Sequence, residues 1–212
     1  MIRLHTYFNI IFFLLLILVF GNLIKNFINN TIVNPPLIET KFNLRTGDCK
    51  KRLGSFITDN INKSKRYSYS MNLMLRGVPS ETIKEIFHHQ GQGGKGESFN
   101  LKYDSIKSLL ILNFDEEKIE LRVEQGRWFH LLVSVDIKTI DVFIDGKLVS
   151  TKELKVLPTT PGGDIMLNCG KSGPYAIINK LNVYGNEITD EYANAIFKAG
   201  GYDGDKFMHW NI

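Results

Sequence analysis

The 212-residue sequence offers little cross-linking chemistry and little excess charge. Its two cysteines, Cys49 and Cys169, allow a single intramolecular disulfide bridge at most. The formal net charge of +4 is too small to predict nucleic-acid binding, for which a concentrated basic stripe is expected. The glycine-rich segment 91–96, GQGGKG, lacks the GxxxxGK[ST] spacing of a phosphate-binding loop. These absences disfavour nucleotide and nucleic-acid binding.

One long stretch lacks charge altogether and predicts a membrane-spanning helix. Tyr7 to Ile24 contains only two strongly polar residues, both asparagine. As a helix this stretch is about 27 Å long, close to the ~30 Å hydrocarbon core of a bilayer. The residues predicted to anchor the chain in membrane lipid are Tyr7, Phe12, Leu15, Val19 and Ile24.

A cleavable signal peptide is the alternative interpretation, since Arg3 precedes the apolar run and Gly21 ends a tolerable cleavage site. The length of the run and the absence of Ala-x-Ala favour an uncleaved anchor. We therefore expect a single-pass membrane protein. Its predicted parts are an anchor or signal peptide at 1–25, a linker at 26–36, a folded domain at 37–201 and a tail at 202–212.

From residue 37 onward the sequence alternates between apolar and polar side chains, which indicates β-strands. The clearest segment is 126–146, GRWFHLLVSVDIKTIDVFIDG. Even-numbered residues from Trp128 to Leu132 share one strand face, and odd-numbered residues from Phe129 to Val135 share the other. Asp145-Gly146 predicts a tight hairpin turn, because glycine accepts the positive φ that such turns need.

The remaining pattern predicts many short strands and one helix. Strands are expected at 67–75, 83–90, 108–114, 118–123, 164–169 and 176–184. Thr189 is a candidate N-cap for a helix that ends at Gly200. Short strands at this spacing are typical of a sandwich or barrel.

The chain resembles the laminin-G-like, concanavalin-A-like domain in the order of its segments YSYSMNLML, IKEIFHHQ, LLILNF, GRWFHLLVSVD, VFIDGKLV, GDIMLNCG and IINKLNVYGNEITDEYANAIFKAG. The residues that fall on positions typical of that family are Trp128, Asp145, Gly146, Lys147, Gly170, Tyr184, Thr189 and Ile196. Ala176 and Gly185 depart from the family pattern near turns. The resemblance implies an all-β, two-sheet antiparallel jelly-roll sandwich with a short C-terminal helix.

The resemblance also implies where a ligand would bind. Trp128 and His130 are the candidate ligand-facing residues, because sandwiches of this kind can stack sugars on a concave face. The leading expectation is that Trp128 packs in or beside the core, and contact with a sugar is the alternative. Asp145 is expected to form the turn rather than to bind a ligand.

Catalysis is not expected. Glucanases with this fold carry Glu-x-Asp-x-x-Glu on one strand, where alternation places the acids on one face. This sequence has no such motif, and its nearest acidic run, 115–120, begins in a predicted turn.

No cofactor is expected, although some laminin-G-like domains bind calcium through loop carboxylates. The available carboxylates are Asp104, Asp136, Asp141 and Asp164, and no spacing singles out a site. His88, His89 and His130 are not expected to ligate one metal ion, because adjacent residues on a strand point to opposite faces. We expect the histidine pair to be structural or solvated.

Two covalent modifications are predicted with their alternatives. Cys49 and Cys169 form a bridge if the domain lies in an oxidising compartment, or remain buried thiols in a reducing one. Asn62 begins the sequon Asn-Lys-Ser and is a candidate glycosylation site on a basic loop. The sequon matters only in a luminal domain.

The leading functional hypothesis is a non-enzymatic, membrane-anchored structural or assembly protein with protein partners. The chain is rich in isoleucine, asparagine and lysine, a bias that usually reflects an AT-rich genome. This composition, the small size and the single anchor would suit a capsid or membrane-linked virion component of a large DNA virus. The alternative is a lectin-like, glycan-binding adhesion or receptor module at the cell surface or in a lumen. A glycoside hydrolase is disfavoured by the missing carboxylate motif.

Overall fold

The computed structural model describes residues 14, 16, 18–21, 36–45, 50–51, 55–77, 83–94, 96–115, 117–156, 158–170 and 173–200. Within these ranges, no helix combines the length and apolar character that crossing a bilayer requires. Val19 lies in a helical stretch and is exposed, whereas Tyr7, Phe12, Leu15 and Ile24 lie outside the described residues. The membrane anchor therefore remains a prediction.

The contacts of the chain divide it into two units, Met1–Pro35 and Pro36–Ile212. The second unit contains twelve strands, two α-helices and one 3₁₀ turn in its described part. These elements are β1 Phe42–Asn43, β2 Lys50–Lys51, α1 Ser55–Ser64, β3 Tyr67–Leu75, β4 Lys84–Gly91, the 3₁₀ turn Gln92–Gly94, β5 Glu97–Asp104, β6 Leu109–Phe114, β7 Glu117–Arg122, β8 Trp128–Val135, β9 Thr139–Ile144, β10 Lys147–Glu153, β11 Pro161–Leu167, β12 Ala176–Tyr184 and α2 Asp190–Ala199.

The strands form two six-stranded antiparallel sheets, which confirms the predicted all-β sandwich. The first sheet has the order β1-β12-β3-β8-β9-β10, and the second has the order β2-β11-β4-β5-β6-β7. Each of the two middle strands of the first sheet, β3 and β8, is buried along its full length. The hydrophobic core lies between the inner faces of the two sheets.

Alternation decides which side chains enter that core. Phe129, Leu131 and Val133 of β8 belong to it, as the sequence predicted. In the middle of the core, the rings of Tyr69 and Phe99 stack with centroids 4.7 Å apart, and Phe99 stacks on Phe114 at 4.6 Å. Aromatic rings at these separations contribute attraction beyond the area that they bury.

The outer face of the first sheet is covered in part by α2. Leu132 and Phe143 on that face form a second buried cluster with Ile188 and Ala193. Thr189 is the N-cap residue and Gly200 the C-cap residue, as predicted, but the Thr189 side chain makes no capping hydrogen bond. The amphipathic packing of α2 therefore stabilises it more than the cap does.

The Asp145-Gly146 turn has the predicted geometry. Both residues have positive φ, 51° and 73°, as a two-residue hairpin between β9 and β10 requires. The Asp145 side chain stabilises this turn, because its Oδ1 accepts a hydrogen bond of 2.8 Å from the backbone N–H of His130. Asp145 is thus a turn residue, as expected.

Some predictions of local structure were wrong. Helix α1 was not predicted, and Asn62 lies in that helix instead of on a loop. Its sequence, SFITDNINKS, mixes β-branched and asparagine residues, which have low helix propensity, so tertiary packing of Ile61 outweighs propensity here. Strand β5 was also missed, and β11 begins at Pro161, three residues before the predicted start at 164.

Candidate functional site

The outer face of the second sheet carries a compact polar cluster, formed by Glu85, His88, Glu97 and Asn100. Glu85 and His88 lie on β4, and Glu97 and Asn100 lie on the neighbouring strand β5. We call this group the β4–β5 cluster.

Two β-bulges bring these residues to one face. On a regular strand, residues three apart point to opposite faces. The β4–β5 pairing shifts register between Glu85 and Phe87, and shifts again between His89 and Gln90. An extra residue in each strand reverses the alternation, so that Glu85 joins His88 and Glu97 joins Asn100.

The polar atoms of the cluster are close together. His88 Nδ1 lies 2.7 Å from Glu85 Oε1 and 4.0 Å from Glu97 Oε1. The Asn100 amide Nδ2 donates hydrogen bonds to Glu85 Oε2 at 2.7 Å and to Glu97 Oε2 at 2.8 Å. Asn100 is only 4% exposed, while the histidine and the glutamates are partly open to solvent.

His89, the neighbour of His88, points into the core. Its Nδ1 lies 2.7 Å from the Tyr69 hydroxyl, and its Nε2 lies 3.1 Å from the Gly163 carbonyl oxygen. A neutral ring satisfies both contacts by accepting from Tyr69 and donating to Gly163. Burial lowers the pKa of His89 to about 4, because the charged form loses its hydration. The prediction that the two histidines face opposite ways is confirmed.

Trp128 and His130 lie on the outer face of the first sheet, and both are buried. His130 Nε2 lies 2.9 Å from the Ser70 hydroxyl, and its ring faces Phe197 of α2 at 5.9 Å between centroids. Burial lowers the pKa of His130 to about 4. The Trp128 ring lies under the Lys41 ammonium at 6.0 Å. Their burial favours a packing role for both residues over contact with a ligand.

The four aspartates considered for calcium have separate roles. Asp104 Oδ1 accepts hydrogen bonds from the Ile106 and Lys107 backbone N–H groups, which closes the β5–β6 turn. Asp136 pairs with Arg66 Nε at 2.7 Å, and Asp141 accepts a hydrogen bond from Thr151. Asp164 lies on β11 of the second sheet. The structure does not bring these four carboxylates together.

The covalent sites remain predictions. Cys169 is half-buried against the core, and Cys49 lies outside the described residues. The Oδ1 atom of Asn62 is buried, and the hydroxyl of Ser64 in the same sequon hydrogen-bonds to the Asn60 carbonyl oxygen at 3.0 Å. A folded α1 therefore presents this sequon poorly, because glycosylation needs an exposed asparagine side chain.

An aromatic residue is exposed at one end of the sandwich. Tyr175, which precedes β12, is 39% exposed, and the Arg45 guanidinium lies 4.3 Å from its ring centroid. Arg45 is held there because its Nη1 donates to the Gly173 carbonyl oxygen at 3.2 Å. Sequence reasoning did not single out this pair, which unites residues far apart in the chain.

Comparison with known proteins identifies the family. The model of the concanavalin A-like lectin/glucanases superfamily, a laminin-G type, matches residues 54–192. The chain belongs to this superfamily, which confirms the resemblance seen in the sequence. Among curated proteins, no match was found.

Solved structures of similar fold include binding domains of botulinum neurotoxins. The serotype G binding domain matches with a TM-score of 0.60 and 12% identity, over 76% of this chain and 42% of the neurotoxin chain. The domain of neurotoxin DC in complex with SialylT matches at 0.59 and 16% identity, over 76% and 42%. The same domain in complex with rat synaptotagmin II matches at 0.59 and 13% identity, over 80% and 46%. The chain thus spans less than half the length of these neurotoxin chains.

Proposed function

We propose that this protein is a non-catalytic binding module that docks a protein partner on the outer face of the second sheet. The observation that carries this proposal is the contrast between the two outer faces. The first is covered in part by α2, whereas the second presents polar and charged side chains that are exposed or half-exposed. They include Glu85, His88, Glu97, Lys102, Asn113, Lys118, Glu120 and Arg122.

The charges of this face favour a protein partner. Acidic and basic groups alternate across it, and a complementary pattern on a partner gives specificity and orientation. Sugar-binding faces commonly offer an exposed aromatic ring against the apolar side of a sugar. The described strands β4 to β7 place their aromatic residues, Phe87, Phe99, Tyr103 and Phe114, in the core instead.

The β4–β5 cluster does not have the arrangement of a glycosidase. Such enzymes hold the scissile bond between two carboxyl groups. Here the amide nitrogen of Asn100 lies between Glu85 and Glu97, within 2.8 Å of an oxygen of each. Both carboxylates are thus already held by one amide group, and this supports a non-enzymatic role.

The finer form of this proposal is an assembly role. We propose that the partner is another component of a larger structure, such as a membrane-linked virion component, and that the N-terminal segment holds the domain at a membrane. The structural neighbours are binding domains, which supports a recognition function. The composition of the chain supports the viral setting.

Charge reversal on β7 tests the proposal. Lys118 and Arg122 are exposed on the proposed face, so the double variant K118E/R122E should fold normally. Full-length protein, extracted from its source in mild detergent and cross-linked, should retain its partner in the wild type and lose it in this variant. The matched control K147E/K155E reverses two exposed charges on or beside β10 of the other sheet.

Two outcomes would count against the proposal. Equal partner recovery from K118E/R122E and from the control would show that this face is not the docking surface. Hydrolysis of β-glucans by the purified wild type, lost in E85Q and E97Q, would show that the protein is an enzyme.

A second candidate is glycan binding at the Tyr175–Arg45 pair. An exposed aromatic ring with a guanidinium stacked over it fits a sugar that carries an acidic group, since the uncovered side of the ring packs on the sugar and the cation pairs with the acid. A glycan array should then show binding that Y175A abolishes and that Y192A, a change at an exposed tyrosine of α2, preserves. Absence of binding by the wild type would dismiss this candidate.

A further inference from the structure

We propose that Glu85, His88 and Glu97 bind a divalent transition-metal ion, and that Asn100 positions the two carboxylates for it. The three prospective ligand atoms lie within 4.8 Å of one another. This proposal concerns the metal ion alone and holds whether or not a protein docks on the same face.

The hydrogen bonds of Asn100 divide the carboxylate oxygens into two sets. The Oε2 atoms of Glu85 and Glu97 both accept from Asn100 Nδ2, at 2.7 and 2.8 Å. The Oε1 atoms of both glutamates are those near His88 Nδ1, at 2.7 and 4.0 Å. One nitrogen and two oxygens therefore converge on a single point, with a second group orienting the oxygens, which is the usual organisation of a metal site.

Asn100 itself provides an independent indication of a ligand. It is 4% exposed, its amide points into the cluster, and its Oδ1 is buried with no hydrogen-bond partner among the described residues. A buried amide oxygen without a partner is unfavourable, so a benefit elsewhere must offset it. Holding two carboxylates side by side is also unfavourable, because like charges repel. A bound cation removes that repulsion, and so accounts for a buried amide that holds the two carboxylates side by side.

The ligand set suits a first-row ion better than calcium. Imidazole nitrogen is a ligand for zinc and similar ions, whereas calcium takes six to eight oxygen ligands. Around a tetrahedral zinc ion the ligand atoms are about 3.3 Å apart, given bond lengths near 2.0 Å. His88 and Glu85 need to separate slightly, and the imidazole proton moves from Nδ1 to Nε2 so that Nδ1 can bind the ion. Solvent fills the remaining positions on the exposed side.

Metal titration of the full chain tests this proposal. The tag-free, chelator-treated protein in detergent is titrated with Zn²⁺, Mn²⁺ and Ca²⁺ by calorimetry. We expect one equivalent of Zn²⁺ to bind most tightly. E97Q keeps the shape of the side chain and removes a charged ligand, and it should weaken binding at least tenfold. N100A should weaken binding by about 10- to 100-fold, as loss of a positioning group commonly does.

The controls separate this site from other zinc-binding groups. E153Q neutralises an exposed carboxylate on β10 and should leave the affinity unchanged. Circular dichroism establishes that E97Q and N100A are folded, and Co²⁺ absorption in place of Zn²⁺ reports the ligand set directly. Absence of binding in the wild type up to millimolar metal would overturn the proposal, as would an affinity that E97Q and H88Q both leave unchanged.

Discussion

The outer faces of the two sheets place the same type of residue in opposite environments. His130 on the first sheet is buried beside Phe197 of α2 and contacts a serine hydroxyl. His88 on the second sheet is partly exposed and contacts two carboxylates. Strand β8 pairs regularly, whereas bulges flank His88 in the β4–β5 pairing. Both histidines nevertheless point outward, and only the first face has a covering helix, so burial by a third element decides whether an outward-facing residue packs or remains available for binding.

The largest expected difference between the faces is in the stability that is lost when a leucine is truncated. Leu132 is buried on the covered face and Leu109 is half-buried on the open one. L132A should lower the free energy of unfolding by about 2–5 kcal/mol, because it leaves a cavity beneath α2. L109A should lower it by much less, as solvent already reaches that side chain. Equal losses in urea denaturation would contradict the contrast between the two faces.

The second expected effect is a loss of stability in acid from the buried histidines. The pKa of His130 is about 4 in the folded protein and 6.5 when unfolded, so the unfolded chain binds more protons between these values. Stability present above pH 6.5 is therefore lost as the pH falls towards 4, by about 3 kcal/mol for a shift of this size. His89 should contribute in the same direction.

Single variants distinguish the buried histidines from His88, which is partly exposed. H130Q should reduce the decline of unfolding free energy between pH 6.5 and 4, measured by urea denaturation at each pH, and leave the part that His89 contributes. H88Q should leave the decline caused by His130 and His89 in place. If H88Q flattened it as much as H130Q, the covered face would not be the source of the acid sensitivity.

A smaller effect is expected at the turn beside α2. Gly146 has a φ of +73°, and a Cβ there would lie 3.1 Å from the Asn194 Cα and from the Phe197 Cβ. G146A should cost about 1–3 kcal/mol, from strain and crowding together. Gly126 has a similar φ of +76° but open space around it, so G126A should cost only the strain. Thermal unfolding of both variants separates the cost of backbone strain from the cost of steric crowding.

The smallest effect is expected at the helix cap. Loss of a capping side chain commonly costs about 0.5–2 kcal/mol. Thr189 makes no such hydrogen bond, so T189A should cost less than about 0.5 kcal/mol. A larger loss in chemical denaturation would show that the cap, and not packing, holds α2 over the first sheet.

Most of the fold was predictable, because its signals are local. The alternation of β8, the Asp145-Gly146 turn and the glycine after α2 each express the conformational preference of a few neighbouring residues. Helix α1 was not predictable in this way, since its own residues disfavour a helix and packing of Ile61 stabilises it. Strand β5 was missed although Phe99, Leu101 and Tyr103 alternate along it.

The candidate site was much less predictable. The motif searched for was a set of acids on one strand, and the structure instead joins Glu85 and His88 of β4 to Glu97 and Asn100 of β5. A reader of the sequence alone places residues 85 and 88 on opposite faces. Only the two bulges, which depend on how the strands pair, reverse that assignment.

The sequence by itself determined the class of fold, the opposed directions of His88 and His89, and the turn at Asp145. These follow from periodicity and backbone preference, which act over short distances along the chain. The tertiary structure decided that α2 covers the first sheet in part and that Trp128 and His130 are buried. It also decided that the four polar residues of the β4–β5 cluster meet on the second sheet. Those outcomes depend on strand register and on packing between distant segments, and neither can be predicted from a local sequence pattern.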